Sequence, residues 1–104
     1  MKVEQYKALN QFHIYDTKKA VDYLQSYDST VVKIEVKTDE TRGQTSHIII
    51  TLGRDWDYSK TTQKYVYMFL EEFGNVYFTP NNTKKTQVNN MIEQHKIVYD
   101  EAMI

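Results

Sequence analysis

The stretch 64-KYVYMFLEEFGNVYFTP-80 reads two ways, and the choice decides the fold. As a strand, Val66, Met68 and Leu70 share one face, and Tyr65, Tyr67 and Phe69 the other. The loop "EEFGN" would then pair Leu70 with Val76 and Met68 with Phe78. As a helix, Tyr65, Val66, Phe69, Leu70 and Phe73 form one stripe, while Thr62, Lys64, Tyr67, Met68, Glu71 and Glu72 fall off it. The helix accounts for more. Ser59 stands where a hydroxyl caps a helix start. Gly74 stands where helices commonly end in a left-handed residue. The strand leaves Phe73 in a loop and gives no reason for two adjacent glutamates. The reading adopted is a helix over 59–73.

Downstream, "NVYFTP" (75–80) reads as a short strand with Val76 and Phe78 inward, stopped by Pro80. Residues 82–104 read as a long helix capped by Asn82 or Thr83. Val88, Met91, Ile92, His95, Val98, Tyr99 and Ala102 form its stripe, with His95 partly buried.

Upstream, "TVVKIEVKT" (30–38) alternates Val32, Ile34 and Val36 against Lys33, Glu35 and Lys37. "SHIIITLG" (46–53) alternates in the same way, and the polar "DETRGQ" (39–44) joins the two as a hairpin. In "TKKAVDYLQSYD" (17–28), Ala20, Val21, Leu24 and Tyr27 recur at helical spacing behind Asp16, which stands as an N-cap. "QFHIYD" (11–16) is a strand with Phe12 and Ile14 on its buried side.

The resulting order, β-α-β-β-α-β-α, describes a single α+β domain over 1–104. It has a ferredoxin-like antiparallel sheet and an added C-terminal helix. An α-β-β-β-β-α meander is the alternative. The last helix is expected to cover the sheet face opposite the first two helices, or else to pair with its copy in a homodimer; a monomer is the other state considered.

At 104 residues with 40% hydrophobic content, the chain is long enough for one core. The absence of cysteine excludes disulfides, thiolate metal sites and cysteine nucleophiles, and suits a reducing, cytoplasmic setting. Neither a signal peptide nor a membrane span is legible. A net charge of −1, evenly spread, weighs against a duplex-DNA binder.

No motif specifies a reaction, metal or cofactor, so the expected function is a small non-enzymatic protein-binding regulator or inhibitor. Its abundance of Lys, Asn, Ile and Tyr suits a phage- or mobile-element-encoded protein. A nucleic-acid-binding module, using the sheet face or the lysine-bearing helix starts, is the alternative.

Candidate binding residues are Asp55, Trp56, Asp57 and Tyr58, with Tyr15 and Tyr77, because Trp and Tyr dominate protein interfaces. Trp56 reads either as a core plug or as an interface anchor, and is expected to matter more for binding than for folding. Ser59, Lys60, Thr83, Lys84 and Lys85 form a candidate anion site at two helix starts. A sheet face carrying His13, Tyr15, His47, Glu35, Lys33, Ile49, Thr51, Tyr77 and Thr79 would bring two imidazoles and a carboxylate together as an acid–base or metal site. Simple solvation or packing explains that face better.

Overall fold

Alternating side chains build most of this molecule into one six-stranded sheet. The computed structural model describes residues 1–39 and 45–103. The strands are β1 (Lys2–Gln5), β2 (Gln11–Asp16), β3 (Val21–Ser26), β4 (Ser29–Asp39), β5 (Thr45–Gly53) and β6 (Val98–Asp100). They lie in that order, antiparallel from β1 to β5, with β6 parallel to β5. Between β5 and β6 the chain forms α1 (Lys60–Phe73) and α2 (Lys84–Glu93). A parallel neighbour requires such a crossover, because the chain must return to the same end of the sheet.

The α+β class holds, but the topology is neither ferredoxin-like nor the α-β-β-β-β-α meander. The 59–73 helix is present, and Ser59 accepts the Thr62 amide at 3.1 Å. The 30–38 and 46–53 strands pair as expected, with Val32 opposite Leu52, Ile34 opposite Ile50 and Val36 opposite Ile48. Of the loop expected at 39–44, residues 40–44 lie outside the described ones.

The expected helix over 17–28 is instead a turn followed by β3. Asp16 Oδ1 does accept backbone amides, from Lys18 at 3.1 Å and Lys19 at 3.2 Å. The same bonds that cap a helix also close a turn, and Ala20 then takes a φ of 53° that ends any helix. The helical spacing of Val21 and Leu24 was coincidental: the two side chains point to opposite faces of the sheet.

The long C-terminal helix is also corrected. It starts at Thr83 as expected, with the Thr86 amide donating to Thr83 Oγ1 at 3.1 Å, but it ends at Glu93. His95 adopts φ 59° and is exposed rather than partly buried. Ile97 is then fully buried, and the β-branched Val98 enters β6. "NVYFTP" has the expected inward Val76 and Phe78 but joins no strand. It runs beside the helices, with Phe78 edge-on to Tyr67 at 5.5 Å.

The core lies between the helices and one sheet face. α1 crosses β3 and β4 and buries Thr62, Val66, Phe69 and Leu70. Opposite them lie Leu24, Val32, Ile34, Ile50 and Leu52. Each such buried aliphatic or aromatic side chain contributes about 1.5–3 kcal/mol. A bulge between Leu24 and Gln25 places Leu24 opposite Val32 but Gln25 opposite Thr30, so Val31 is the extra residue and both valines are buried.

Gly74 ends α1 for a different reason than expected. Its φ is −102°, and the left-handed residue is Asn75 at 54°. A Cβ on Gly74 would meet the Leu70 carbonyl at 2.9 Å and Ile50 Cδ1 at 3.1 Å, so glycine is required by close packing on the sheet.

Tyr6, in the β1–β2 link, donates to Glu72 at 2.8 Å and stacks edge-on against Phe69 at 5.3 Å. Burial, then the hydrogen bond and charge of Glu72, hold its phenol well above the ordinary tyrosine range.

Gln11 is fully buried, and neither end of its amide has a hydrogen-bond partner among the described residues. An unpaired buried amide costs roughly 1–3 kcal/mol, and methionine has a similar length and volume. Gln11→Met should therefore raise the unfolding free energy by about that amount. Urea unfolding measures it, and an unchanged or lower midpoint would show the amide to be satisfied.

Candidate functional site

Strand register sorts the sheet into two faces. His13, Leu24, Val32 and Leu52 form one cross-strand row beneath α1, and the His13 ring lies 5.4 Å from Phe69. The opposite face carries the row Val3, Ile14, Tyr23, Lys33, Thr51 and Val98. Beside it run Phe12 and Gln25 on one flank and Val21, Glu35 and Ile49 on the other. No helix of the described residues packs on this face, since the buried residues of both helices join the core on the other side.

A sheet open to water on one side normally shows polar residues there. β2 does the reverse. It turns Gln11, His13 and Tyr15 toward the helices and Phe12 and Ile14 outward. His13 is retained inside by a 2.6 Å contact with Asp22 and by stacking 4.5 Å from Phe73. Phe12, Ile14, Tyr23 and Ile49 are each half-buried, and Val3 is 61% exposed. Next to this apolar strip, Glu35 lies between two lysines, 3.6 Å from Lys33 and 3.7 Å from Lys37.

The expected His13–His47–Glu35 grouping is not assembled, because His13 faces the helices while His47 and Glu35 lie on the open face. β2 and β5 are not neighbours either; β3 and β4 separate them. Tyr77 and Thr79 lie outside the sheet altogether. Nor does the C-terminal helix close the open face: Val88 of α2 joins the same core as α1.

The four loop candidates have different environments. Trp56 is 3% exposed and meets Tyr67 edge-on at 6.5 Å, which places it in the core. Asp55 accepts from Ser29 Oγ at 2.7 Å, and Asp57 pairs with Lys85 at 3.8 Å. Tyr58 is 80% exposed. Tyr15, Tyr58 and Tyr77 belong to three separate elements: β2, the β5–α1 loop and the segment after α1.

Ser59 and Thr83 both serve as caps, so their hydroxyls are committed to their own helices. Lys60 and Lys84 line one groove with Lys64, Tyr67 and Met68. Lys84 is 3.3 Å from Glu71, and Lys85 is held by Asp57, so nearby carboxylates counter part of this charge.

Phe12 and Ile14, expected on the buried side of their strand, lie outward instead, and Tyr23 was not singled out from the sequence. Alternation marks Phe12 and Ile14 as sharing a face, but does not say which side that face meets. Among the described residues, no helix is long and apolar enough to cross a membrane. No family model, curated protein or solved structure matches this chain.

Proposed function

We propose that the chain is a small protein-binding module, a regulator or inhibitor rather than an enzyme, whose partner docks on the open sheet face. The observation that carries this reading is the inverted polarity of β2, with Phe12 and Ile14 outward and His13 inward. Its complement is a protein surface with an apolar ridge to cover Val3, Phe12, Ile14 and Tyr23. That ridge would be flanked by charges matching the Lys33–Glu35–Lys37 series. Burying aromatic and aliphatic groups supplies affinity, and the charged flank supplies register. A cysteine-free chain is suited to doing this in the cytoplasm.

A nucleic-acid reading has one observation in its favour: Tyr23 lies directly opposite Lys33 on an open sheet, as in single-strand platforms. Glu35 weakens it by standing between the two lysines that would meet phosphate.

Site-specific photocross-linking in native cells tests both. A photoreactive residue replacing Tyr23 should give a protein adduct of discrete mass, whereas one replacing Asn89 on α2 should not. Ile14→Asp should abolish the adduct without changing the circular dichroism spectrum. Adducts from Asn89 alone would overturn the sheet-face reading, and a nuclease-sensitive adduct with steep salt dependence would replace it with the nucleic-acid one.

A further inference from the structure

Away from the open sheet face, the β3–β4 turn and the start of α1 border an open cavity of about 570 Å³. The buried hydroxyls of Ser26 and Thr62 lie 3.0 Å apart on its wall. Ser29 donates to Asp55 at 2.7 Å, fixing that carboxylate on one side. Asp28 stands at the turn, and the two lining tyrosines, Tyr27 and Tyr58, are 49% and 80% exposed. Among the described residues, no lysine or arginine lines the cavity.

Two backbone features shape this rim. Tyr27 adopts φ 55°, a left-handed conformation that costs a side chain roughly 1–2 kcal/mol and that glycine would adopt more readily. The Asn10 carbonyl accepts the Tyr27 amide at 2.6 Å and holds it there. The tight β3–β4 turn requires this conformation and sets Tyr27 at the cavity rim. The β-bulge beside it adds Val31 to the cavity wall.

We propose that this cavity binds a polyhydroxylated ring, a pyranose or a short neutral oligosaccharide. Vicinal hydroxyls donate to Asp55 and Asp28 and exchange hydrogen bonds with the exposed Thr61 hydroxyl, which both donates and accepts, while Ser26, Ser29, Ser59 and Thr62 stay engaged with one another, with Asp55 and with the α1 cap. The C–H face of the ring packs on Tyr27 or Tyr58, whose rings combine an apolar body with a polar tip. Two carboxylates repel an anionic ligand. A cationic ligand gains less than the formal charge suggests, because Asp55 already accepts from Ser29 and lies 3.9 Å from Arg54 Nε, while Asp28 is exposed and screened. The site is independent of the sheet-face reading, and either can fail alone.

The test is a titration of the intact, isotope-labelled chain followed by amide NMR. The probes are glucose, galactose, mannose and N-acetylglucosamine with their neutral oligomers, argininamide as a cation and inorganic phosphate as an anion. At least one saccharide should give saturable shifts centred on residues 26–31 and 55–62. Tyr58→Ala, which removes an exposed ring, should stay folded and weaken that binding by about tenfold, and Asp55→Asn by at least as much. The proposal is overturned if no saccharide of the panel shifts these amides up to its solubility limit. It is equally overturned if argininamide or phosphate alone saturates the site, or if the saccharide shifts survive both substitutions.

Discussion

Trp56→Ala is expected to lower the unfolding free energy by about 3–5 kcal/mol, the usual loss when a buried tryptophan is truncated. The side chain is 3% exposed and joins the core cluster with Tyr67, Val66 and Leu52. Its backbone closes the turn out of β5, with the Trp56 amide donating to the Gly53 carbonyl at 3.1 Å. Its anchor at Gly53 is itself tightly packed: a Cβ there would collide with the Thr30 carbonyl. The cavity left by the lost indole adds to the lost transfer energy. Guanidinium unfolding with a shared slope measures the effect. A melting temperature within a few degrees of the parent chain would return Trp56 to the surface role that its sequence context suggested.

Lys64→Pro should cost about 3 kcal/mol or more and unfold the chain cooperatively. Lys64 is the exposed fifth residue of α1, so the side chain itself contributes little packing. Proline there removes the backbone donor to the preceding turn, and its ring collides with that turn's carbonyl. The damage spreads because α1 carries Thr62, Val66, Phe69 and Leu70 into the core across β3 and β4. Lys64→Ala is the control and should leave the midpoint nearly unchanged, since alanine favours the helix. Loss of helical signal at 222 nm together with a lowered denaturant midpoint is the expected result. A proline variant with the parent midpoint would show that residues 60–73 are not a continuous helix.

The three best-read elements had redundant local signals. α1 had a buried stripe, a hydroxyl cap and a terminating glycine in agreement, and consistency of that kind specifies a helix. β4 and β5 alternated cleanly over enough residues to set their register. The misread segments had signals that serve two structures equally. Asp16 accepts amides in a turn as it would in a cap, and residues 17–28 are short enough for two periods to fit the same apolar positions. The stripe over 88–102 crossed a real boundary at His95, whose positive φ has no signature in a histidine. The four-residue β1, exposed throughout, had no apolar pattern to read.

The candidate surfaces divide the same way. Cap residues Ser59 and Thr83 were legible because capping depends only on neighbours in sequence. The outward turn of Phe12 and Ile14 and the cavity between Tyr27 and Tyr58 were not, and for Trp56 the sequence left core plug and interface anchor both open. Each depends on which face of the sheet the helices occupy. By itself the sequence determined the α+β class, the helix at 60–73, the central hairpin and the start of α2, all products of local periodicity and capping. Strand order, the placement of β6 beside β5 and the choice of covered face were decided by tertiary structure. The physical reason is that a side-chain pattern of period two names two faces without ranking them. Only the packing of α1 over Leu24, Val32, Ile34, Ile50 and Leu52 makes one of them the inside.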